Sequence, residues 1–350
     1  MLDHLFIASL GVLVAFSIPL WIRLFSRMSS DTGSTSTWLD KVLPGRQRIE
    51  SPLGAVDVVM LFVFWFLAQV VCLAFFGPNS PESSTPNQAG PLTQTMLAIA
   101  AGQLVGTFAG LAFIGLRHGH APRIFGWQPE YFLADTRLGL AVFAMTLPPL
   151  LLLQWGLSAL VEYHHQTLEL LRDQATGQTL IVTWLSAGLI APLTEEIFFR
   201  GVFQAWLQRL GRGMSQVVWL LAIGGGFAGK FRSADRYQTT EPREGTGGTE
   251  LEMDLPRRVQ ADSDSVWMPI LVSSAAFGLV HLGQGLAPVT LFFFGLILGI
   301  VYRQTGSLWP CVLLHMLLNA FSLSWVTLEV WLGATPSLLG ADGLIHVGSG

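Results

Sequence analysis

Leu180-Ile-Val-Thr-Trp-Leu-Ser-Ala-Gly-Leu-Ile-Ala-Pro-Leu-Thr-Glu-Glu-Ile-Phe-Phe-Arg200 is an apolar run interrupted by two adjacent carboxylates, Glu195 and Glu196, and closed by an arginine. The stretch 180–209 is long and apolar enough to cross a membrane, since about 20 such residues span a hydrocarbon core of roughly 30 Å. A carboxylate in that setting costs roughly 2.5 to 3.5 kcal/mol on insertion scales. The pair, with Arg200 one helical turn beyond Glu196, therefore marks a functional site. The plainer alternative is an arginine-neutralised pair that only packs a bundle.

The whole chain has the same character. Of its 350 residues, 51% are hydrophobic and 12% charged, and the mean hydropathy is +0.52. That is about half the charge of a soluble domain, and it predicts an all-α, polytopic transmembrane helical bundle in the cell membrane with the lipid bilayer as partner. The net charge of −4 offers no basic stripe for nucleic acid, and no glycine loop cradles a phosphate. Cys72 and Cys311 fall inside apolar spans and read as small hydrophobes.

About eight spans are expected, near 4–24, 54–76, 94–116, 138–161, 180–209, 266–283, 288–303 and 308–332. The first carries Asp3 and His4 instead of a basic leader and reads as a retained helix. Residues 29–52 and 78–91 are polar connections. Residues 230–265 mix charges around a Gly-Thr-Gly-Gly run and have too little apolar surface to fold alone, which predicts a solvated tether. The segment 215–229, with three consecutive glycines, reads as interfacial or half-inserted. Arg27, Lys41, Arg46, Arg48, Arg117, Arg123, Arg137, Arg209 and Arg212 then gather on one side, which the charge bias makes cytoplasmic with both termini outside. A crossing by 215–229 would invert everything downstream. Gly102, Gly106 and Gly110, and again Gly295 and Gly299, recur every four residues and read as packing seams.

Two further pairs carry chemistry. Phe277 and His281, and His315 and Asn319, are each spaced i,i+4 and so share a helix face. Two histidines, an asparagine and a diglutamate on separate spans must find partners in lipid, and the cheapest are one another. Glu195 lies 14 residues before Arg209 and His281 lies 14 after Trp267, so both sit roughly 21 Å from their shared connection. Pro192 withdraws the hydrogen bond to the Gly188 carbonyl and predicts a kink beside the glutamates.

A carboxylate and an imidazole holding one water form a general-base arrangement for hydrolysis. A His/Asn pair on one face supplies donors for a developing oxyanion. There is no Gly-x-Ser-x-Gly turn to offer a serine and no His-Glu-x-x-His zinc signature. A zinc ion held by Glu195, His281 and His315 stays open, because carboxylate and imidazole are ordinary ligands for it.

Glu195-Glu196-x-x-x-Arg200, Phe277-x-x-x-His281 and His315-x-x-x-Asn319, in that order on successive spans, resemble the three motifs of the CPBP family of intramembrane proteases. That family includes CAAX prenyl endopeptidases of the Rce1 type and bacterial abortive-infection or bacteriocin-immunity homologues. The resemblance covers about 180–325. It implies that Glu195 is the water-activating base with His281 sharing the water, that Glu196 and Arg200 support it, and that His315 and Asn319 stabilise the oxyanion. It divides the chain into N-terminal transmembrane helices over 1–178, a CPBP-like catalytic core over 179–332 with a polar insertion at about 224–265, and a tail over 333–350. Such insertions are unusual, since members join the first two motifs by a short turn.

The implied activity is intramembrane endopeptidase, with CAAX-type C-terminal processing among its forms and a peptide or protein, prenylated or not, as substrate. Members are often labelled metalloproteases, but the favoured reading is a glutamate mechanism that requires no cofactor. Two alternatives are a non-catalytic immunity or scaffold protein of the same fold, which the intact motifs disfavour, and a proton-coupled transporter. The latter predicts an internal repeat of broken helices, which is not seen.

Overall fold

The computed structural model describes residues 2–29, 43, 45–46, 48–49, 51–78, 90–119, 125–158, 176–211, 258–259 and 267–332. Among these, α1 is Leu2–Ser29, α2 Ala55–Phe76, α3 Pro91–His118 and α4 Phe132–Ser158. Helix α5 is the unbroken run 177–211, followed by α6 Trp267–Leu279, α7 Ala287–Thr305 and α8 Trp309–Leu332. Seven of these are long and apolar enough to cross a membrane. The expected polytopic helical bundle is present, and the chain is a multi-pass integral membrane protein. Phe16, Phe75 and Leu116 illustrate the outward apolar surface that lipid would cover.

Helix α6 is the exception. The reading of 266–283 as a full span gives way to a helix of 13 residues ending before Gly283 and Gly285, whose φ values of +100° and +59° suit glycine. His281 therefore lies just past the helix end, where its backbone N–H donates to the Gly278 carbonyl at 3.1 Å. Helices α6 and α7 form a hairpin that turns over at the depth of the glutamates.

Hydrogen bonds fix how the helices run. The Ser273 hydroxyl donates to the Phe199 carbonyl at 3.0 Å, and Ile270 lies beside Gly299, which Gln204 also meets. Contacts on α6 thus fall in number as those on α5 rise, so the two helices are antiparallel. Arg200 reaches the Gly295 carbonyl and Gln204 the Gly299 carbonyl, so α5 and α7 are parallel. The start of α6 and the end of α5 consequently lie at the same end of the bundle, and the spans beyond keep the orientation expected without a crossing between them. The expectation for 215–229 itself falls outside the described residues, as do the tail and all of 224–265 but Arg258 and Val259.

That end is tied down by the connections. Arg46 N–H donates to the Gln304 carbonyl and Leu308 N–H to the Gly126 carbonyl, at 2.8 and 2.9 Å. Arg209 donates to the Pro52 and Leu53 carbonyls. Two fully buried aspartates, neither singled out in the sequence, anchor it further. Asp57 accepts from Arg117 at 2.6 Å and meets His118 at 3.0 Å, and Asp135 accepts from Arg46 at 2.6 Å. The glycine seam of α3 is real: a Cβ on Gly102 or Gly106 would come within 2.5 Å of the α2 backbone at Gln69 or Trp65.

The only described strands are β1, Arg48–Ile49, and β2, Arg258–Val259, which pair antiparallel. Such a two-residue ladder contributes little. Deleting residues 232–262 is therefore expected to leave helical content and peptidase activity intact, because the sequence there is too polar to fold alone and the cost of closing a connection changes only slowly with its length. An inserted, well-behaved deletion protein that has lost activity would make the insertion part of the site or its gate.

Candidate active site

Helix α5 departs from regular α geometry on both sides of the glutamates. Trp184–Ile190 and Ile197–Gln204 are π-helical, flanking the α-helical turn Ala191–Glu196. Widened turns of this kind concentrate at functional sites, and the first sits where Pro192 removes a backbone donor. The kink expected from Pro192 takes the form of this widened stretch. Backbone carbonyls released in lipid must be satisfied by side chains. Asn319 does so for Ala187, its Nδ2 donating at 2.8 Å, and the Thr194 hydroxyl donates to Ile190 and Ala191 at 3.0 and 3.2 Å.

Glu196 and Arg200 are fully buried. Their closest atoms, Oε2 and Nε, stand 3.2 Å apart, yet neither atom makes a directed hydrogen bond, so the attraction is between charges. The guanidinium lies 4.6 Å over the Phe277 ring and donates to the Gly295 carbonyl at 3.4 Å. Burying a carboxylate without such a cation would be strongly unfavourable.

His315 is the hinge of the site. Its Nδ1 is 2.9 Å from Glu196 Oε1, and an ionised carboxylate only accepts, so Nδ1 carries the proton and donates. Its Nε2 faces Glu195 Oε2 at 3.9 Å. The ring is held edge-on by Phe277 at 5.6 Å and Phe294 at 5.4 Å. Glu195 retains 16% side-chain exposure, against none for Glu196, so only the first of the two carboxylates is within reach of water.

His281 is held by its own helix end. Nδ1 donates to the Phe277 carbonyl at 2.9 Å, again leaving Nε2 free of that bond, and Phe277 packs edge-on against its ring at 5.3 Å. Since Phe199 is level with Ser273 across the antiparallel pair, His281 stands about one turn beyond Glu195 and within its electrostatic reach. Glu195, Glu196, Arg200 and His315 thus meet directly, while His281 and Asn319 flank them and bond to backbone carbonyls. The expectation that the polar groups would partner one another holds for the first four.

Two contributors, Gln204 and Ser273, went unnoticed in the sequence, and a third, Phe277, was read only in part. Gln204, two turns beyond Glu196, is fully buried, and a polar side chain on the face of Glu196 and Arg200 was a signal available at that spacing. Phe277, read only as the partner of His281, contacts Arg200 and both histidines. Ser273 satisfies the Phe199 carbonyl. Among the described residues, no three His, Cys, Asp or Glu side chains converge as a bound metal ion requires, so the set Glu195, His281 and His315 is not assembled as a ligand triad in this geometry.

Residues 177–229 and 255–321 match the family model described as type II CAAX prenyl endopeptidase Rce1-like. The match supports placing the core of the chain in the Rce1-like family. All six candidate residues lie inside the two matched stretches, and the unmatched 230–254 falls within the polar insertion. At the level of the family, that match supports a CAAX-type membrane protease, and hence a hydrolase. No curated protein and no solved structure matches the chain.

Proposed function

We propose that the chain is an intramembrane endopeptidase that hydrolyses a peptide bond with a water activated by Glu195, in CAAX-type C-terminal processing. The observation that carries this reading is the 3.9 Å gap between Glu195 Oε2 and His315 Nε2. That gap is too long for a direct hydrogen bond but fits one water at about 2.8 Å from each acceptor. Glu196, neutralised by Arg200, fixes the imidazole tautomer so that the Nε2 lone pair faces the gap, as an orienting carboxylate does for other catalytic histidines.

The steps balance without a further reactant. Water oxygen attacks the scissile carbonyl carbon as Glu195 takes one of its protons, and its other O–H, first directed at the His315 Nε2 lone pair, turns to that of His281 as the oxygen moves onto the carbonyl. The tetrahedral oxyanion is met by the second N–H of the Asn319 amide, the first being spent on Ala187, and by His315 Nε2 once the proton taken by Glu195 has passed to it across the gap, to return by the same path before the C–N bond breaks. Collapse breaks the C–N bond, and the proton held by Glu195 passes to the leaving amine.

Asn319→Ala is expected to lower turnover by roughly 10²-fold while sparing substrate affinity, the usual result of losing one oxyanion donor. Lost affinity at unchanged turnover would place Asn319 in substrate binding. Hydrolysis by direct water attack also leaves no acyl-enzyme for added hydroxylamine to capture. Accumulation of a hydroxamate product would replace the water mechanism with a protein nucleophile.

The proposed route needs no metal, since base, orienting residues and oxyanion donors are all supplied by side chains. Elemental analysis of active protein should find no stoichiometric metal, and chelators should leave activity unchanged. Zinc bound one per chain, with activity lost on chelation and restored by zinc, would turn the same residues to metal-assisted hydrolysis. Prenylated and unprenylated versions of one CAAX-type peptide, compared at equal concentration, define the substrate class.

A further inference from the structure

Gly295 and Gly299 do more than pack α7 closely. A Cβ on Gly299 would lie 2.9 Å from Ile270 Cγ2 and 3.1 Å from Gln204 Oε1, and one on Gly295 would lie 3.1 Å from the Ser274 backbone. The bare backbone lets two carbonyls one turn apart accept from α5. Gln204 Nε2 donates to Gly299 at 2.8 Å, and Arg200 donates to Gly295 at 3.4 Å. The shorter bond belongs to the uncharged residue. Arg200, with a long bond to α7 and an undirected contact to Glu196, cannot by itself hold the register of the two helices.

We propose that Gln204 is a positioning residue for the hydrolytic site, setting the register of α7 on α5 and through it the placement of Arg200 and His315. Two connections transmit it. Gly295 bonds the Arg200 guanidinium that neutralises Glu196, and the adjacent Phe294 packs edge-on against His315 at 5.4 Å. A slip of α7 would loosen both, so that Nε2 no longer faces Glu195 at bridging distance. Gln204 touches no reacting atom. The inference rests on the reading of Glu195 and His315 as holding the attacking water.

The test compares Gln204→Leu and Gln204→Glu with wild type. Loss of the donor in Gln204→Leu should reduce kcat by roughly 10- to 100-fold, the scale of a misplacement near 1 Å, with KM within about twofold. Gln204→Glu should work while its carboxyl is protonated and can donate to Gly299. It should fail once the carboxyl ionises and competes with Glu196 for Arg200, so its activity should fall at lower pH than that of wild type. Hydrogen exchange over 287–305 should speed up in Gln204→Leu. Wild-type kcat per folded molecule in Gln204→Leu, or a Gln204→Glu profile matching wild type, overturns the inference. If wild type cleaves nothing, the functional reading fails separately, and unchanged exchange over 287–305 then removes the register role as well.

Discussion

Glu195→Ala, and separately His281→Ala, are expected to abolish peptide hydrolysis while leaving an inserted, folded protein. General-base chemistry typically contributes 10²- to 10⁴-fold, and groups acting on one water fail together, so either change should cost about 10³-fold or more and the double variant little beyond that. Folding should survive because the two residues are not deeply committed. Glu195 keeps partial exposure and a single imidazole at 3.9 Å, and His281 makes one bond to a carbonyl at its own helix end. Thermal unfolding in detergent reads stability, and turnover with a fluorogenic peptide reads activity. Turnover near the wild-type level in either variant would remove that residue from the mechanism.

Arg200→Met should act in the opposite way, through the fold. It strands the Glu196 charge in a fully buried setting, among Phe277, Phe199 and the α7 backbone, with only His315 to answer it. Breaking a buried pair by removing one partner costs about 3 to 5 kcal/mol, which detergent-denaturant titration can resolve. Pairing Arg200→Met with Glu196→Gln should return much of that stability without activity, because a neutral amide no longer orients His315 as a carboxylate does. A single variant within about 1 kcal/mol of wild type, an ordinary mutational effect, would mean that Arg200 does not hold Glu196 as a charge.

Much of this was readable from the chain because lipid makes polarity conspicuous. A carboxylate pair within 180–209, or a histidine within 308–332, stands out against an apolar background, and i,i+4 spacing says which groups share a face. Span limits followed from length for α2, α7 and α8. What spacing along one helix cannot show is pairing across the sequence. Asp57 with Arg117, and Asp135 with Arg46, are 60 and 89 residues apart, and neither aspartate belongs to a motif.

The early end of α6 goes with Gly283 and Gly285, of which the apolar run 266–283 took in the first and stopped short of the second, since hydropathy alone does not weigh a positive φ. The π-helical turns came from the conflict between Pro192 and a helix that must continue, which a proline rule resolves only as a kink. Gly295 and Gly299 were seen as a seam. That their carbonyls would receive Gln204 and Arg200 required knowing that α7 runs parallel to α5.

The central claim is that this bundle cuts peptides with a water activated by Glu195. The most direct measurement is incubation of the purified protein in detergent with a peptide library containing CAAX-type C-termini, beside Glu195→Ala purified identically, with products read by mass spectrometry. The account predicts cleavage at a defined bond by wild type and none by the variant. No cleavage by a folded wild-type protein, or equal cleavage by both, would contradict it.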